Sequence, residues 1–192
     1  MPDDPPRSAL PFPDPDLTDG TVLLRPWQER DTPQRYAAFS DELCQRFSWP
    51  HVEPITEAQV HAALADNERD RLAGASLNLA VVDPADPARI WGAASLYDVD
   101  PAQSRASIGY WVAPWSRGRG VATRSLRLLA GWGFGALGVH RLELTCGPDN
   151  LASARVAEHC GFVREGLLRS HLRFKTGRRD TVVFGLLPGE LR

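Results

Sequence analysis

Lysine is nearly absent from this 192-residue chain: Lys175 stands alone, so the other basic side chains are arginines. Such a bias reads as coding preference and lowers the weight of any single arginine. A large charge of either sign is also missing. The formal net charge of -2, with 24% charged residues, excludes the global basic excess that duplex nucleic acid or an anionic membrane attracts. Any basic site is local. Cysteine is scarce: Cys44, Cys146 and Cys160 are odd in number, far apart and without CxxC or Cys/His spacing. They offer no zinc site and no disulfide framework, which fits a reducing compartment and predicts no metal. Long apolar runs are lacking too. The longest, Leu128 to Val139, carries four glycines and falls short of the ~20 residues that span a bilayer. The opening stretch MPDDPPRSALPFPDPDL has no basic region followed by an apolar one, so it does not read as a secretory signal. A cytoplasmic protein without a membrane partner is expected.

What is present suits one compact domain with a hydrophobic fraction of 43%. Residues 1–20, rich in Pro and Asp, predict a mobile or loosely docked tail, and residues 21–192 a single folded domain. Thr21 to Arg25 reads as a first strand. Arg30-Asp31-Thr32-Pro33 reads as a helix start, with a capping side chain and proline in the first turn. Cys44 to Pro54 reads as an irregular aromatic loop. Thr56-Glu57-Ala58-Gln59 has capping-box spacing and predicts a helix to about Leu72. Strands are predicted at Leu77 to Val81, Ile90 to Tyr97 and Ala106 to Val112, close enough to form an antiparallel meander. An amphipathic helix after Gly120 follows, then a strand at Arg141 to Cys146, a helix at Asn150 to Cys160, and two more strands starting at Gly161 and Thr181. The fold class is α+β.

The stretch IGYWVAPWSRGRGVA, Ile108 to Ala122, puts an apolar strand before a two-glycine loop and a helix. The first N–H groups of a helix have no intrahelical partner, and the helix dipole adds partial positive charge, so a pyrophosphate can bind there. Gly118 and Gly120 allow close approach to the backbone, while Arg117 and Arg119 can add charge-assisted bonds. On the loop alone, a tight turn with solvated arginines explains the letters equally well. Rival phosphate motifs fail: a P-loop needs Gly-Lys before Ser or Thr, and a dinucleotide fingerprint needs glycine where Thr123 stands. A literal GxGxxG at Gly133 to Gly138 follows a helix instead of preceding one, and reads as a helix terminus.

Arg117-x-x-Gly120-x-Ala122 resembles the Arg/Gln-x-x-Gly-x-Gly/Ala signature of the GNAT N-acetyltransferases. Asn150-Leu151-Ala152-Ser153, followed by Gly161-Phe162, is similar to the Asn-x-x-Ser helix and Gly-Phe ending of the RimJ/RimL-like branch, whose members act on ribosomal-protein N-termini. Leu24-Arg25-Pro26 and Arg179 to Phe184 resemble that branch's first and last strands, so the likeness covers about residues 21–188. It implies a mostly antiparallel mixed sheet, flanked by helices, whose fourth and fifth strands splay to admit the pantetheine arm. It implies acetyl-coenzyme A as donor, held by Arg117, Gly118, Arg119, Gly120, Val121, Ala122, Thr123 and Asn150. Trp111 and Val112 would pair their backbone with the arm.

The same resemblance frames the proton chemistry. A tyrosine that many members carry late in the Asn-x-x-Ser helix is replaced by Ala157. Ser153 matches the serine thought to serve the leaving thiolate in the RimL-like branch, and Asn150 shares its helix face. Glu165 is the nearest carboxylate in sequence to a base position where Leu172 stands, and is the second catalytic candidate; His171 reads as a solvated alternative. Direct transfer in a ternary complex is expected in place of a ping-pong route through Cys146 or Cys160. The acceptor is a primary amine, a protein N-terminus or a small molecule, beside Phe47, Trp49 and His51. Nucleic acid enters only through a ribosomal substrate, and a homodimer is the oligomer considered. Two alternatives stay open: another donor such as succinyl-coenzyme A, and a non-catalytic sensor of acyl-coenzyme A.

Overall fold

A computed structural model describes residues 8–192. Among the described residues eight strands form one sheet: β1 (Leu17–Thr18), β2 (Leu23–Pro26), β3 (Leu77–Asp83), β4 (Asp86–Asp100), β5 (Arg105–Val112), β6 (Arg141–Cys146), β7 (Val163–Phe174) and β8 (Gly177–Leu186). Their order across the sheet is β1-β2-β3-β4-β5-β6-β8-β7, and every neighbouring pair is antiparallel except β5 and β6. Five helices accompany them: α1 (Thr32–Phe39), α2 (Glu42–Ser48), α3 (Glu57–Leu72), α4 (Val121–Ala136) and α5 (Leu151–His159).

Side-chain alternation in the strands divides the interior. Leu77, Leu79 and Val81 of β3 point to the face covered by α4 and α5, where they join Ile108, Leu126, Leu129, Ala130 and Ala157. Ala80, Val82 and Ile90 point to the opposite face, against Trp27 and Trp111. There α1 contributes Phe39, whose ring stands edge-on to Trp111 at 5.4 Å. Each fully buried Leu or Ile in these layers contributes roughly 1.5–3 kcal/mol, so the sheet is held from both sides and its central strands are rigid.

The parallel pair is the exception that shapes the molecule. β5 and β6 are in register at three positions only, Arg105 with Arg141, Ala106 with Leu142 and Ser107 with Glu143. Beyond Ser107 the strands part, although β5 continues to Val112 and β6 to Cys146. The splay that the family resemblance implies is therefore present between these two strands.

Three local readings are corrected. Cys44 to Pro54 was expected to be irregular, yet Glu42–Ser48 is helical, because Asp41 accepts hydrogen bonds from the Leu43 and Cys44 N–H groups and caps the turn. The start of α1 was expected to carry a capping side chain, but no side chain makes that bond; the carboxylate of Asp31, at the N-cap, instead binds Arg25 and accepts from the Gln28 N–H at 2.8 Å. The predicted tail begins to fold before residue 21: Leu10 is buried, its N–H bonds the Arg71 carbonyl, and Leu17–Thr18 pairs with β2. Residues 1–7 of that expectation lie outside the described residues. The capping box at Thr56 and Gln59 is formed as read, and α3 ends at Leu72. Gly138, with φ +64, follows the end of α4.

Candidate active site

The loop from Ala113 to Gly120 is fixed before any ligand arrives. The Ala113 N–H and the Ser116 hydroxyl both donate to the Trp91 carbonyl, at 2.8 and 2.7 Å, and the Trp115 indole N–H donates to the Ile90 carbonyl at 2.8 Å. Gly118 and Gly120 then take φ of +72 and +73, a left-handed conformation costly for side chains with a Cβ. α4 starts at Val121 with no side chain capping it. Its first N–H groups are left free for an anion, with the helix dipole behind them. Arg117 reaches Asp41 in an ion pair and Cys44 Sγ at 3.6 Å, so the loop is tied to the start of α2. The Arg117 ion pair holds the Asp41 carboxyl below the usual carboxylate range.

Two cavities meet where β5 and β6 part. One, of about 470 Å3, is lined by Arg117, Gly118 and Gly120 through Thr123, together with Val112 and Val156. The other, of about 510 Å3, opens toward Trp27, Phe39 and the β7–β8 hairpin. Phe47, Ser48, Tyr110, Trp111, Asn150 and Ser153 line both. Asn150 caps α5, accepting from the Ser153 N–H at 3.2 Å, and its amide N–H groups remain available. Ser153 Oγ accepts a hydrogen bond from the Tyr110 hydroxyl at 3.2 Å. Burial pushes the Tyr110 phenol up to about 12, so it is a proton-bearing donor at neutral pH. Burial also raises the thiols of Cys44, Cys146 and Cys160.

The sequence-predicted residues fall into two groups. Val112, Arg117, Gly118, Gly120, Val121, Ala122, Thr123, Asn150, Ser153 and Phe47 converge on the cavities. Arg119 turns away: its guanidinium lies 4.5 Å over the Trp91 ring, leaving only its backbone near the loop. Trp111 lines the cavities with its side chain, but its backbone faces β4. Ala113 donates to Trp91 across that pair, and the two-residue alternation of an antiparallel ladder sends Trp111 the same way. The free edge belongs to Tyr110 and Val112. Trp49 and His51 line neither cavity; Trp49 donates its indole N–H to the Glu53 carbonyl and packs against Phe39 and His51. Phe47 and Ser48 of α2, and Pro50 beyond its end, line the acceptor cavity, whereas Trp49 and His51 do not.

Glu165 is also elsewhere. It is 42% exposed, forms a two-pronged ion pair with Arg141 at 2.9 and 2.5 Å, and lines neither cavity. Hydrogen bonding to Arg141 lowers its carboxyl, suiting a structural anion more than a proton acceptor. Ala157 of α5, where the resemblance places a tyrosine in many family members, is fully buried. Tyr110 was missed because its contact with Ser153 joins residues 43 apart. Its place one residue before Trp111 on an alternating strand was the one available signal.

The chain is similar to known acetyltransferases along most of its length. Residues 21–163 match the family described as Acetyltransferase (GNAT) domain. The Bacillus subtilis (strain 168) protein named Uncharacterized N-acetyltransferase YoaA is 28% identical over 178 residues, covering 90% of this chain and 97% of that protein. The Escherichia coli (strain K12) ribosomal-protein-serine acetyltransferase is 31% identical over 78 residues, covering 41% of this chain and 44% of that protein. Among solved structures, Mycobacterium smegmatis RimJ in complex with CoA-disulfide superposes with a TM-score of 0.78 at 26% identity, covering 88% of this chain and 83% of that one. With the splayed sheet, the uncapped α4 and the joined cavities, these likenesses establish that the chain belongs to the GNAT acetyltransferase family and is an acyl-coenzyme A-dependent N-acetyltransferase.

Proposed function

We propose that the chain transfers the acetyl group of acetyl-coenzyme A directly to the α-amine of a protein N-terminus, with donor and acceptor bound together. The observation that carries this reading is the junction of the two cavities at Tyr110 and Ser153. The cavity beside α4 suits the donor: free N–H groups take the pyrophosphate, and the open edge of β5 at Tyr110 and Val112 takes the pantetheine amides. The cavity beside α1 suits the acceptor. An amine entering there meets the thioester in the gap; as the C–N bond forms and the C–S bond breaks, the Ser153 hydroxyl can donate a hydrogen bond to the departing sulfur while it accepts one from Tyr110, and the proton lost by the amine neutralises the thiolate. An α-amine with a pKa of about 7.7–8.0 is already partly neutral near pH 7, so a strong base is not required.

A cysteine relay has less support. The Cys146 thiol lines the acceptor cavity, but burial favours its neutral form over the nucleophilic thiolate. A protein acceptor is supported by the name of the Escherichia coli relative, and coenzyme A as carrier by the ligand of Mycobacterium smegmatis RimJ.

The test is thiol release from acetyl- and succinyl-coenzyme A with a panel of N-terminal peptides and small amines. Acceptor-dependent release with intersecting initial-velocity lines is expected. Parallel lines with an acylated enzyme would refute direct transfer, and tight coenzyme A binding with no release would leave a sensor. Gly120→Glu should abolish donor binding, since it puts bulk and negative charge at the helix start.

A further inference from the structure

Among the described residues no carboxylate lines the acceptor cavity, whereas three arginines do: Arg35, Arg173 and Arg179. Two of them belong to the β7–β8 hairpin, where Arg179 stacks 4.5 Å over the Phe174 ring. Arg35 differs in kind. It rises from the middle of α1, its guanidinium lies 4.7 Å over the Trp27 ring, and its Nη1 is buried with no hydrogen-bond partner. Burial alone depresses it, to about 10, and no acidic group among the described residues offsets that. It still carries its charge at neutral pH.

Arg25 shows what this fold does with a buried guanidinium that has only a structural task. Its two terminal nitrogens bond the Asp31 carboxylate at 2.7 and 2.9 Å and the carbonyls of Pro26 and Pro87 at 2.9 and 2.7 Å, and only its Nε is buried without a partner. Arg35, ten residues further along the chain, has the ring of Trp27 and an open cavity instead. A desolvated cation beside an apolar ring is only partly compensated. A fork of N–H donors without an acceptor matches a planar oxyanion in both charge and shape. Across the cavity, the Thr181 hydroxyl is likewise buried and unpartnered.

Resting on the reading that this cavity receives the amine, we infer that the acceptor is an anionic amine, whose carboxylate or phosphate pairs with Arg35 while its amino group reaches the Tyr110–Ser153 gap. The amine is thus selected by a charge it carries elsewhere. Arg173 and Arg179 at the rim give the same sign of field to the approach.

The experiment compares matched acceptors that differ in one charge: serine-initiated tetrapeptide amides with Glu, Gln or Lys as the following residue, glutamate against glutamine, and phosphoethanolamine against ethanolamine. At least one anionic member should exceed its neutral partner by about tenfold or more in kcat/KM, the size expected for a charge-assisted pair. The arm that wins identifies whether the anion is a side chain, an α-carboxylate or a phosphate. Arg35→Gln should erase the preference, bringing the anionic member down to the kcat/KM of its neutral partner. Equal use of acid and neutral members in every arm overturns the inference, as does a preference that survives in Arg35→Gln. The unsubstituted chain answers the first question even where the variant does not fold. Release with neutral amines alone would sink the anionic acceptor and leave acetyl transfer standing. If no amine is turned over, calorimetric binding of the same pairs with and without coenzyme A decides the charge preference independently.

Discussion

Tyr110 donates its phenolic hydrogen to Ser153 Oγ at 3.2 Å, across the opening between β5 and α5. The consequence is directional. With one lone pair of Oγ engaged, the serine's own hydrogen can turn from the neighbouring Cys146 thiol to a sulfur in the gap. Tyr110→Phe should therefore lower kcat by about tenfold while the KM for acetyl-coenzyme A holds, the pattern of an interaction made in the transition state. Ser153→Ala should cost as much or more. The double variant should be no slower than Ser153→Ala, because the two act as a unit; steady-state kinetics on the three variants check this, and additive losses would separate the residues.

The same phenol makes an alkaline prediction. Burial raises Tyr110 to about 12 in the folded chain, against about 10 when unfolded. Between those values the folded state keeps a proton that the unfolded state releases, so stability falls as pH rises through that window. Urea midpoints should drop between pH 10 and 12 in the native chain, and the drop should be smaller in Tyr110→Phe.

Arg117 is not idle before a ligand arrives, since it pairs with Asp41 at the head of α2. A phosphate must share or displace that carboxylate. Asp41→Ser keeps a capping oxygen and removes the competing charge. Coenzyme A affinity should rise by about threefold to tenfold at low salt, the value of one freed charge-assisted contact, and the gain should shrink as salt screens it. Titration calorimetry at two ionic strengths reads both effects.

Glu165 holds Arg141 at the edge of the sheet. Glu165→Gln should leave kcat/KM within about twofold, and should cost no more than about 1 kcal/mol of stability, as expected of a half-exposed ion pair. A large loss of kcat with normal folding would return it to the chemistry.

The buried pair Arg25 and Asp31 anchors the start of α1, with side chains 5% and 1% exposed. Asp31→Ala strands a buried cation and should destabilise the chain by about 3 kcal/mol or more. Replacing both with apolar residues of similar volume should recover much of that loss, and thermal melts of the single and double variants decide it.

How much was legible depended on whether the cause was local. The Thr56-Gln59 capping box and the glycines at 118 and 120 are written within a few residues, and the structure matches them. So is the strand meander, whose short turns leave little choice of partner. Asp41 carried a cap signal for α2, but the seven-residue helix is too short to show a period and its aromatics suggested a loop. The expected side-chain cap of α1 is missing because a side chain placed to cap can find a better partner, here Asp31 with Arg25 six residues earlier.

The acceptor side was the least readable. Arg35 gains its meaning from Trp27 and from an absent counter-ion, neither visible in a linear string. Trp49 and His51 looked like a wall of the acceptor site, while beyond the end of α2 they pack on each other, and Trp49 on Phe39, without lining either cavity. Glu165 was chosen by nearness in sequence to a missing base; the hairpin pairing of β7 with β8 sets it against Arg141 instead.

The three rungs that join β5 to β6 make the sheet two panels sharing a single seam at Ser107 and Glu143. A pantetheine arm lying along Tyr110 and Val112 would add backbone-like bonds where the seam ends. The donor would then be a temporary structural member as well as a reagent. The molecule would be stiffest with its cargo aboard, and slowest to exchange the amide hydrogens of β5 in that state. It would loosen again after the cargo departs.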